Sequence, residues 1–111
     1  MANSPQKPDY RTNKHFRAVK RAMLSSLKAR GLSDKAHTDK VEEYMDFWIL
    51  RQELRDDVAA RGLSVSDDRG RVTENRSVSL EIQVSRQMMA IFTALGFKAE
   101  EGGDAYDDDE L

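Results

Sequence analysis

Three glycines, each followed by an apolar residue, divide this chain into segments and limit what it can fold into. The pairs are Gly31-Leu32, Gly62-Leu63 and Gly96-Phe97. A glycine in the left-handed conformation ends a helix, and the next apolar side chain folds back onto the last turn. The pentapeptide ARGLS occurs at 29–33 and again at 60–64, but the residues around the two copies do not align. We therefore interpret the repeated letters as shared helix endings rather than as an internal repeat.

The apolar residues before each glycine recur at the spacing of an amphipathic helix. In the first segment they stand three or four residues apart, at Phe16, Val19, Met23 and Leu27. This spacing places them on one face of a helix, which is the face that packs against a core. Equivalent patterns in the other two segments predict three helices in all, which span 13–30, 34–61 and 77–95.

Polar residues before the second and third helices predict where these helices begin. Ser33 or Asp34 can cap the second helix, and Asn75 or Ser77 can cap the third. Between them, residues 63–75 contain two aspartates and a glycine that suit a tight turn or a short β-hairpin. The expected fold is therefore all-α, with helices 2 and 3 forming a long antiparallel helical hairpin.

The two ends of the chain differ from this helical region in composition and in charge. Residues 1–12 contain both prolines and little apolar content, which is typical of a flexible arm. Residues 99–111 hold seven acidic residues and no basic one, which predicts a disordered acidic tail. Residues 1–31, in contrast, hold eight basic residues against Asp9 alone. We expect one helical domain over 13–98 between the arm and the tail.

The composition disfavours several functional classes. The chain has no cysteine, which excludes disulfides, thiol catalysis and cysteine-based zinc sites. Its two histidines, His15 and His37, lie on different segments and do not form a metal-binding motif. No stretch approaches the roughly 18–20 apolar residues that span a bilayer, and the first residues lack the apolar core of a signal peptide. We expect a cytoplasmic protein that is not an enzyme, with no cofactor, no metal ion and no membrane partner.

The positive charge of the first helix predicts contact with nucleic acid. Basic residues cover every face of this helix except its apolar stripe, so it can neutralise several phosphates. Such contacts predict binding more firmly than sequence specificity. A solvated helix that packs only through its stripe, or a helix on a membrane surface, would share this pattern. The candidate DNA-binding residues are Arg11, Lys14, Arg17, Lys20, Arg21, Lys28 and Arg30.

The second and third helices each carry two apolar stripes, whereas a surface helix of a monomer normally carries one. The additional stripes predict contacts between copies of the chain, because symmetric assembly commonly covers such surfaces. The alternative is that the first helix covers them within one chain. The candidate residues of an oligomer interface are Tyr44, Trp48, Ile82, Met89 and Phe92.

The order of features along residues 36–97 can be compared with the patterns of known families. It comprises a long helix with Tyr44 and Trp48, its end at Ala59-Ala60-Arg61-Gly62, the turn Val65…Gly70-Arg71-Val72, Asn75, and the end Phe92-Thr93-Ala94-Leu95-Gly96-Phe97. This order resembles the short family of small terminase subunits of tailed bacteriophages and prophages, which carry a G…G…NP…LG skeleton. Where that family has proline after the asparagine, this chain has Arg76, which leaves Asn75 able to cap a helix.

The resemblance implies a non-enzymatic protein of the viral DNA-packaging machine. Small terminase subunits form rings, recognise or hold viral double-stranded DNA, and regulate the large terminase subunit, which carries the ATPase and nuclease. The implied location is the cytoplasm of an infected or lysogenic bacterial host. On this interpretation the basic helix contacts DNA, and the acidic tail docks on a basic partner or on the chain's own arm.

Two other interpretations remain open from the residues alone. In the first, helix 1 and the start of helix 2 form a helix-turn-helix of a small DNA-binding regulator, with Gly31 in the turn. Against it, the second helix soon becomes acidic at Glu42, Glu43 and Asp46, which disfavours entry into a DNA groove. In the second, the chain is a structural adaptor that binds no nucleic acid.

Overall fold

A computed structural model describes residues 9–98 of the chain, and these residues form the expected all-α fold. The arm over residues 1–8 and the acidic tail over 99–111 lie outside the described residues. A 3-10 turn precedes three helices, and a two-stranded hairpin joins the last two. In chain order the elements are the 3-10 turn Tyr10–Thr12, α1 Lys14–Ala29, α2 Lys35–Arg61, β1 Ser64–Ser66, β2 Val72–Glu74 and α3 Arg76–Ala94.

A polar side chain caps the first turn of each helix. The Asn13 side chain accepts a hydrogen bond from the backbone N–H of Phe16 at 3.0 Å. Of the two candidates for each helix, Asp34 rather than Ser33 caps α2, and Asn75 rather than Ser77 caps α3. Each cap satisfies a backbone donor that the helix cannot satisfy itself, which typically stabilises a helix by about 1 kcal/mol.

Glycine ends α1 and α3 in the predicted way, but the end of α2 is different. Gly31 and Gly96 have φ angles of +74° and +86°. After each of them, the next residue donates a backbone hydrogen bond to the carbonyl five residues earlier. Gly62 also has a positive φ, but its ψ of −177° leads the chain straight into β1. Leu63 is therefore 68% exposed and does not fold back, so the prediction of three identical endings is wrong for α2.

The central helix α2 packs against both of the other helices. Three of its residues, Val41, Met45 and Trp48, belong to the core. From α1 the core takes Phe16, Met23 and Leu27, and from α3 it takes Val84, Met88, Ile91 and the following Leu95. Helices α2 and α3 form the long hairpin, which Glu81 also bridges through ion pairs to Arg51 and Arg55 at 3.6 and 3.7 Å.

The N-terminal end of the described chain packs on α2, and this corrects two predictions. The aromatic rings of Tyr10 and Phe16 contact Trp48 edge-on, at centroid distances of 6.1 and 5.4 Å. Arg11 forms an ion pair with Asp46 at 3.0 Å. Residues 10–12 are therefore an ordered turn rather than part of a flexible arm. Trp48 is only 9% exposed, so its own chain covers it and it does not lie on a surface between copies.

The connection between α2 and α3 is a short antiparallel hairpin. Its strands pair Ser64 with Glu74 and Ser66 with Val72. The Asp67 carboxylate closes the turn by accepting hydrogen bonds from the backbone N–H groups of Arg71 and Arg69 at 2.8 and 2.9 Å, and these bonds lower the pKa of Asp67. The sequence allowed a turn or a hairpin, and the structure has the hairpin.

Buried Asn75 ties the end of α2 to the start of α3. It donates through Nδ2 to the Gly62 carbonyl at 2.9 Å and through its backbone N–H to the Leu63 carbonyl at 2.8 Å. Beside it, the Asp57 carboxylate accepts hydrogen bonds from Arg61 at 2.8 Å and from Ser77 Oγ at 2.7 Å. The hydrogen bond from the Arg61 guanidinium, and to a lesser extent that from the Ser77 hydroxyl, holds the pKa of Asp57 well below its usual range. These contacts fix the angle at which α3 returns along α2.

Acid should weaken this junction. Because the pKa of Asp57 is lower in the folded chain than in the unfolded one, its stabilising effect is complete well above pH about 4. It is lost as the pH falls from there toward the folded pKa. We expect the Asp57→Asn variant to be less stable at pH 7 and to lose less unfolding free energy than the wild type between neutral and acidic pH.

Urea unfolding at a series of pH values measures this difference. The matched control is Glu74→Gln, because Glu74 is exposed and has no ion pair within residues 9–98. The control should keep the acid sensitivity of the wild type. Equal pH dependence in the wild type and Asp57→Asn would contradict the role given to Asp57.

Candidate nucleic-acid interface

The outward face of α1 carries a row of basic side chains. Lys14, Arg21 and Lys28 are seven residues apart, so they lie almost in line along the helix, with Arg17 beside them. The row is about 21 Å long at 1.5 Å per residue, and it lies roughly 140° around the helix axis from the apolar stripe. We call Lys14, Arg17, Arg21 and Lys28 the basic row.

The four side chains of the basic row are available to a ligand. All four residues are exposed. Within residues 9–98, none of them forms an ion pair with a carboxylate. Four like charges on one face repel one another, and an anion that bridges them relieves this repulsion. The arrangement therefore suits a ligand with several negative charges in a line.

Next to the basic row lies a shallow groove with an apolar floor. Leu24 forms part of this floor, and long basic side chains form its rim. The groove is shallow and faces solvent, which fits a polyanion lying across it better than a small molecule that needs enclosure. The residues that line it are Arg17, Lys20, Arg21, Leu24, Ser25 and Lys28.

Two further candidate DNA-binding residues lie at the edge of this surface in ion pairs. Lys20 Nζ is 2.9 Å from Glu42 Oε2, and Arg11 is paired with Asp46. Both pairs are at least partly exposed to solvent, and such pairs contribute only about 0–1 kcal/mol. A phosphate could therefore replace the carboxylate at little cost, but these residues are less available than the basic row.

Arg30, the last of the candidates, has a structural contact instead. Its Nη2 donates to the carbonyl of Leu95 at 2.8 Å, and its guanidinium lies 5.1 Å from the ring centroid of Phe97. Gly96 permits this approach, because a Cβ there would be only 2.6 Å from Arg30 Nη1. Arg30 thus joins the C-terminal ends of α1 and α3. The sequence signal was its position at a helix end, where a basic residue often meets carbonyl groups.

The start of α2 differs from the basic row because its charges are paired with one another. Lys35 is 2.9 Å from Asp39, and Lys40 is 2.9 Å from Glu43. The His37 ring contacts the Asp34 carboxylate at 2.7 Å, and this hydrogen bond lowers the pKa of Asp34. A helix that enters a DNA groove instead presents unpaired donors at its first turns. The surface at the start of α2 therefore carries little net positive charge.

The proposed oligomer residues are divided between the surface and the core. Ile82 and Met89 are 51% and 53% exposed on the outer side of α3. Tyr44 and Phe92 are half-buried in a groove between α2 and α3, with ring centroids 6.2 Å apart. Trp48 is in the core. Burial in this groove raises the pKa of the Tyr44 hydroxyl.

The structure adds two residues that the sequence analysis did not select. Val78 and Ser85 are half-buried and complete a row on α3 with Ile82, Met89 and Phe92. Successive members of this row are four, three, four and three residues apart, which is the spacing of a coiled-coil seam. The signal was present in the sequence, but the serine interrupted the apolar pattern. We call Val78, Ile82, Ser85, Met89 and Phe92 the α3 seam.

Residues 9–98 bring together no group of three or more histidine, aspartate or glutamate side chains that could hold a metal ion. None of the helices described combines the length and the apolar composition that crossing a membrane requires. Comparisons of the chain with protein-family models, with curated proteins and with solved structures return no match.

Proposed function

We propose that this protein is a DNA-binding, self-associating subunit without enzymatic activity. DNA binding and self-association, together with the resemblance of residues 36–97 to small terminase subunits, favour the role of small terminase subunit in a phage or prophage DNA-packaging machine. In this role it holds viral double-stranded DNA and regulates the large terminase subunit in the cytoplasm of the bacterial host. The observation that carries the proposal is the basic row, whose four exposed cations have no ion-pair partner within residues 9–98.

The dimensions of α1 agree with binding to a duplex. The major groove of B-DNA is about 12 Å wide and admits an α-helix. The basic row, about 21 Å long, corresponds to roughly six base-pair steps measured along the duplex axis at 3.4 Å each. Lysine and arginine side chains at a spacing of two helical turns can reach phosphates without selecting particular bases. The proposed binding is therefore electrostatic and largely independent of sequence.

Neutralising the basic row should reduce the salt dependence of DNA binding. The test variant is Lys14→Gln, Arg21→Gln, Lys28→Gln. Each lost phosphate contact lowers the slope of log K against log salt by about 0.9, so we expect a decrease of about 2 to 3. Fluorescence anisotropy with a labelled duplex, measured at several salt concentrations, gives this slope.

A control variant separates local contact from overall charge. Arg69, Arg76 and Arg86 are exposed, lie outside α1 and have no ion pair within residues 9–98. Their replacement by glutamine removes the same charge and should leave the slope nearly unchanged. If both variants lower the slope equally, the basic row is not the binding surface. A wild type that does not bind duplex DNA would contradict the proposed function and favour the structural adaptor.

The α3 seam supports the proposal that copies of the chain associate. Two of its members are large apolar residues that are more than half exposed, although they lie in a helix whose opposite face already packs on α2. Burying such residues against a second copy removes apolar area from water at roughly 25 cal/mol per Å². The spacing of the seam allows α3 to pack along α3 of another copy, because its members remain on one side for four turns.

Polar substitutions in the seam should dissociate the assembly. We expect Ile82→Ser, Met89→Ser to have a lower mass than the wild type in sedimentation velocity at equal concentration. The control is Leu63→Ser, Val72→Ser, because these residues are 68% and 67% exposed on the hairpin. A monomeric wild type at high concentration would contradict self-association. Dissociation by the hairpin variant alone would assign the interface to the hairpin.

A further inference from the structure

The chain leaves the described structure at the C-terminal end of α1, the helix that carries the basic row. Phe97 follows the end of α3, and its ring packs against the guanidinium of Arg30 at the C-terminal end of α1. The bond from Arg30 to the Leu95 carbonyl holds the two helix ends together. Residues 99–111 therefore start beside the end of α1 that carries Lys28.

Residues 99–111 carry negative charge, which is opposite to that of the basic row. They contain seven carboxylates and no basic residue, whereas the basic row has four cations. The seven carboxylates are Glu100, Glu101, Asp104, Asp107, Asp108, Asp109 and Glu110. Five of them stand between residues 104 and 110, so a chain that follows α1 can place these five beside successive members of the row.

The length of the segment is sufficient for this contact. Thirteen extended residues reach about 43–47 Å. Phe97 lines a groove with Val19, Met23 and Ser26, on a different side of α1 from the basic row. The segment must therefore first pass around a helix about 10–12 Å in diameter, which takes roughly 16–19 Å. The remaining length exceeds the basic row, which is about 21 Å long.

We propose that the acidic segment 99–111 docks on the basic row of its own chain and competes with DNA for it. The occupant is this segment because it begins at the neighbouring helix end, reaches the whole row and has the opposite charge. The competition rests on the proposed DNA-binding function, whereas the docking does not. Duplex DNA, with its higher charge density, displaces the segment, so the contact sets a threshold that weak polyanions do not pass.

The docking can be measured without DNA. The chain has no cysteine, so Ala105→Cys gives a single attachment site for a nitroxide spin label. Nuclear magnetic resonance at low salt, on an isotope-labelled full chain diluted into excess unlabelled chain, reports contacts within one molecule. We expect the nitroxide to broaden the amide signals of α1 between Arg17 and Lys28. The broadening should disappear at about 0.5 M salt, where the Debye length falls to roughly 4 Å. Unbroadened α1 signals at low salt would overturn the proposal.

The competition is measured by the affinity for a duplex of arbitrary sequence at low salt. We expect Asp107→Asn, Asp108→Asn, Asp109→Asn to bind about three- to tenfold more tightly than the wild type, because removing the occupant raises the competent fraction. The control Glu53→Gln, Asp68→Asn, Glu74→Gln changes the same charge at exposed sites outside α1 and should differ by less than twofold.

The two experiments distinguish the failure of each proposal. Broadening of α1 without any binding of duplex DNA would refute the proposed function and leave the docking in place. If the tail variant and the control variant both bind DNA more tightly than the wild type, and by the same factor, the competition is refuted. The gain in affinity would then follow from net charge alone.

Discussion

The contact between α1 and α2 determines how this chain presents its charge. Phe16, Met23 and Leu27 of α1 are buried against α2, and they fix the rotation of α1 about its axis. Once that stripe faces inward, the geometry of the helix turns Lys14, Arg17, Arg21 and Lys28 toward solvent. The helix itself aligns the four cations, and the apolar contact orients them toward solvent, on the side of α1 away from α2.

The long helix α2 packs against α1 on one side and α3 on another, and the surfaces proposed for DNA and for other copies lie on these two different helices. In the first turns of α2 the charged side chains form ion pairs with one another, and α1 packs on this part of the helix. At the other end of α2, the hydrogen bonds of Asn75 and Asp57 hold the start of α3 so that α3 runs back along α2. The basic row is on α1 and the seam is on α3, so DNA binding and self-association would not compete for one surface. Several α1 helices in one assembly could then contact one duplex.

The sequence predicted features that depend on neighbours along the chain, and it was less successful with contacts between distant residues. The endings at Gly31 and Gly96 and the cap at Asn75 followed from short patterns. The different ending at Gly62 depends on Asn75, which is thirteen residues away and binds the Gly62 carbonyl. No local pattern records that pairing. Ser85 was missed for a different reason, because it stands at the spacing of the seam but is polar. A search for periodic hydrophobic residues therefore passes over it.

The candidate site shows the same division between local and distant information. The positions of the basic row follow from helical spacing alone. Arg30 looked equivalent to them in the sequence, but it binds Leu95, which is sixty-five residues away. Trp48 looked like surface because helix periodicity does not reveal which neighbour covers a stripe, and Tyr10 and Phe16 cover it here.

The most direct measurement of the central claim is chemical acetylation of lysines with and without duplex DNA, read by mass spectrometry. Lys14 and Lys28 lie on the basic row, whereas Lys35 and Lys40 lie in ion pairs at the start of α2. If α1 contacts the duplex through its outward face, DNA will slow acetylation of Lys14 and Lys28 and leave Lys35 and Lys40 unchanged. Protection of Lys35 and Lys40 instead would indicate a helix-turn-helix that inserts α2, and would contradict the proposed surface.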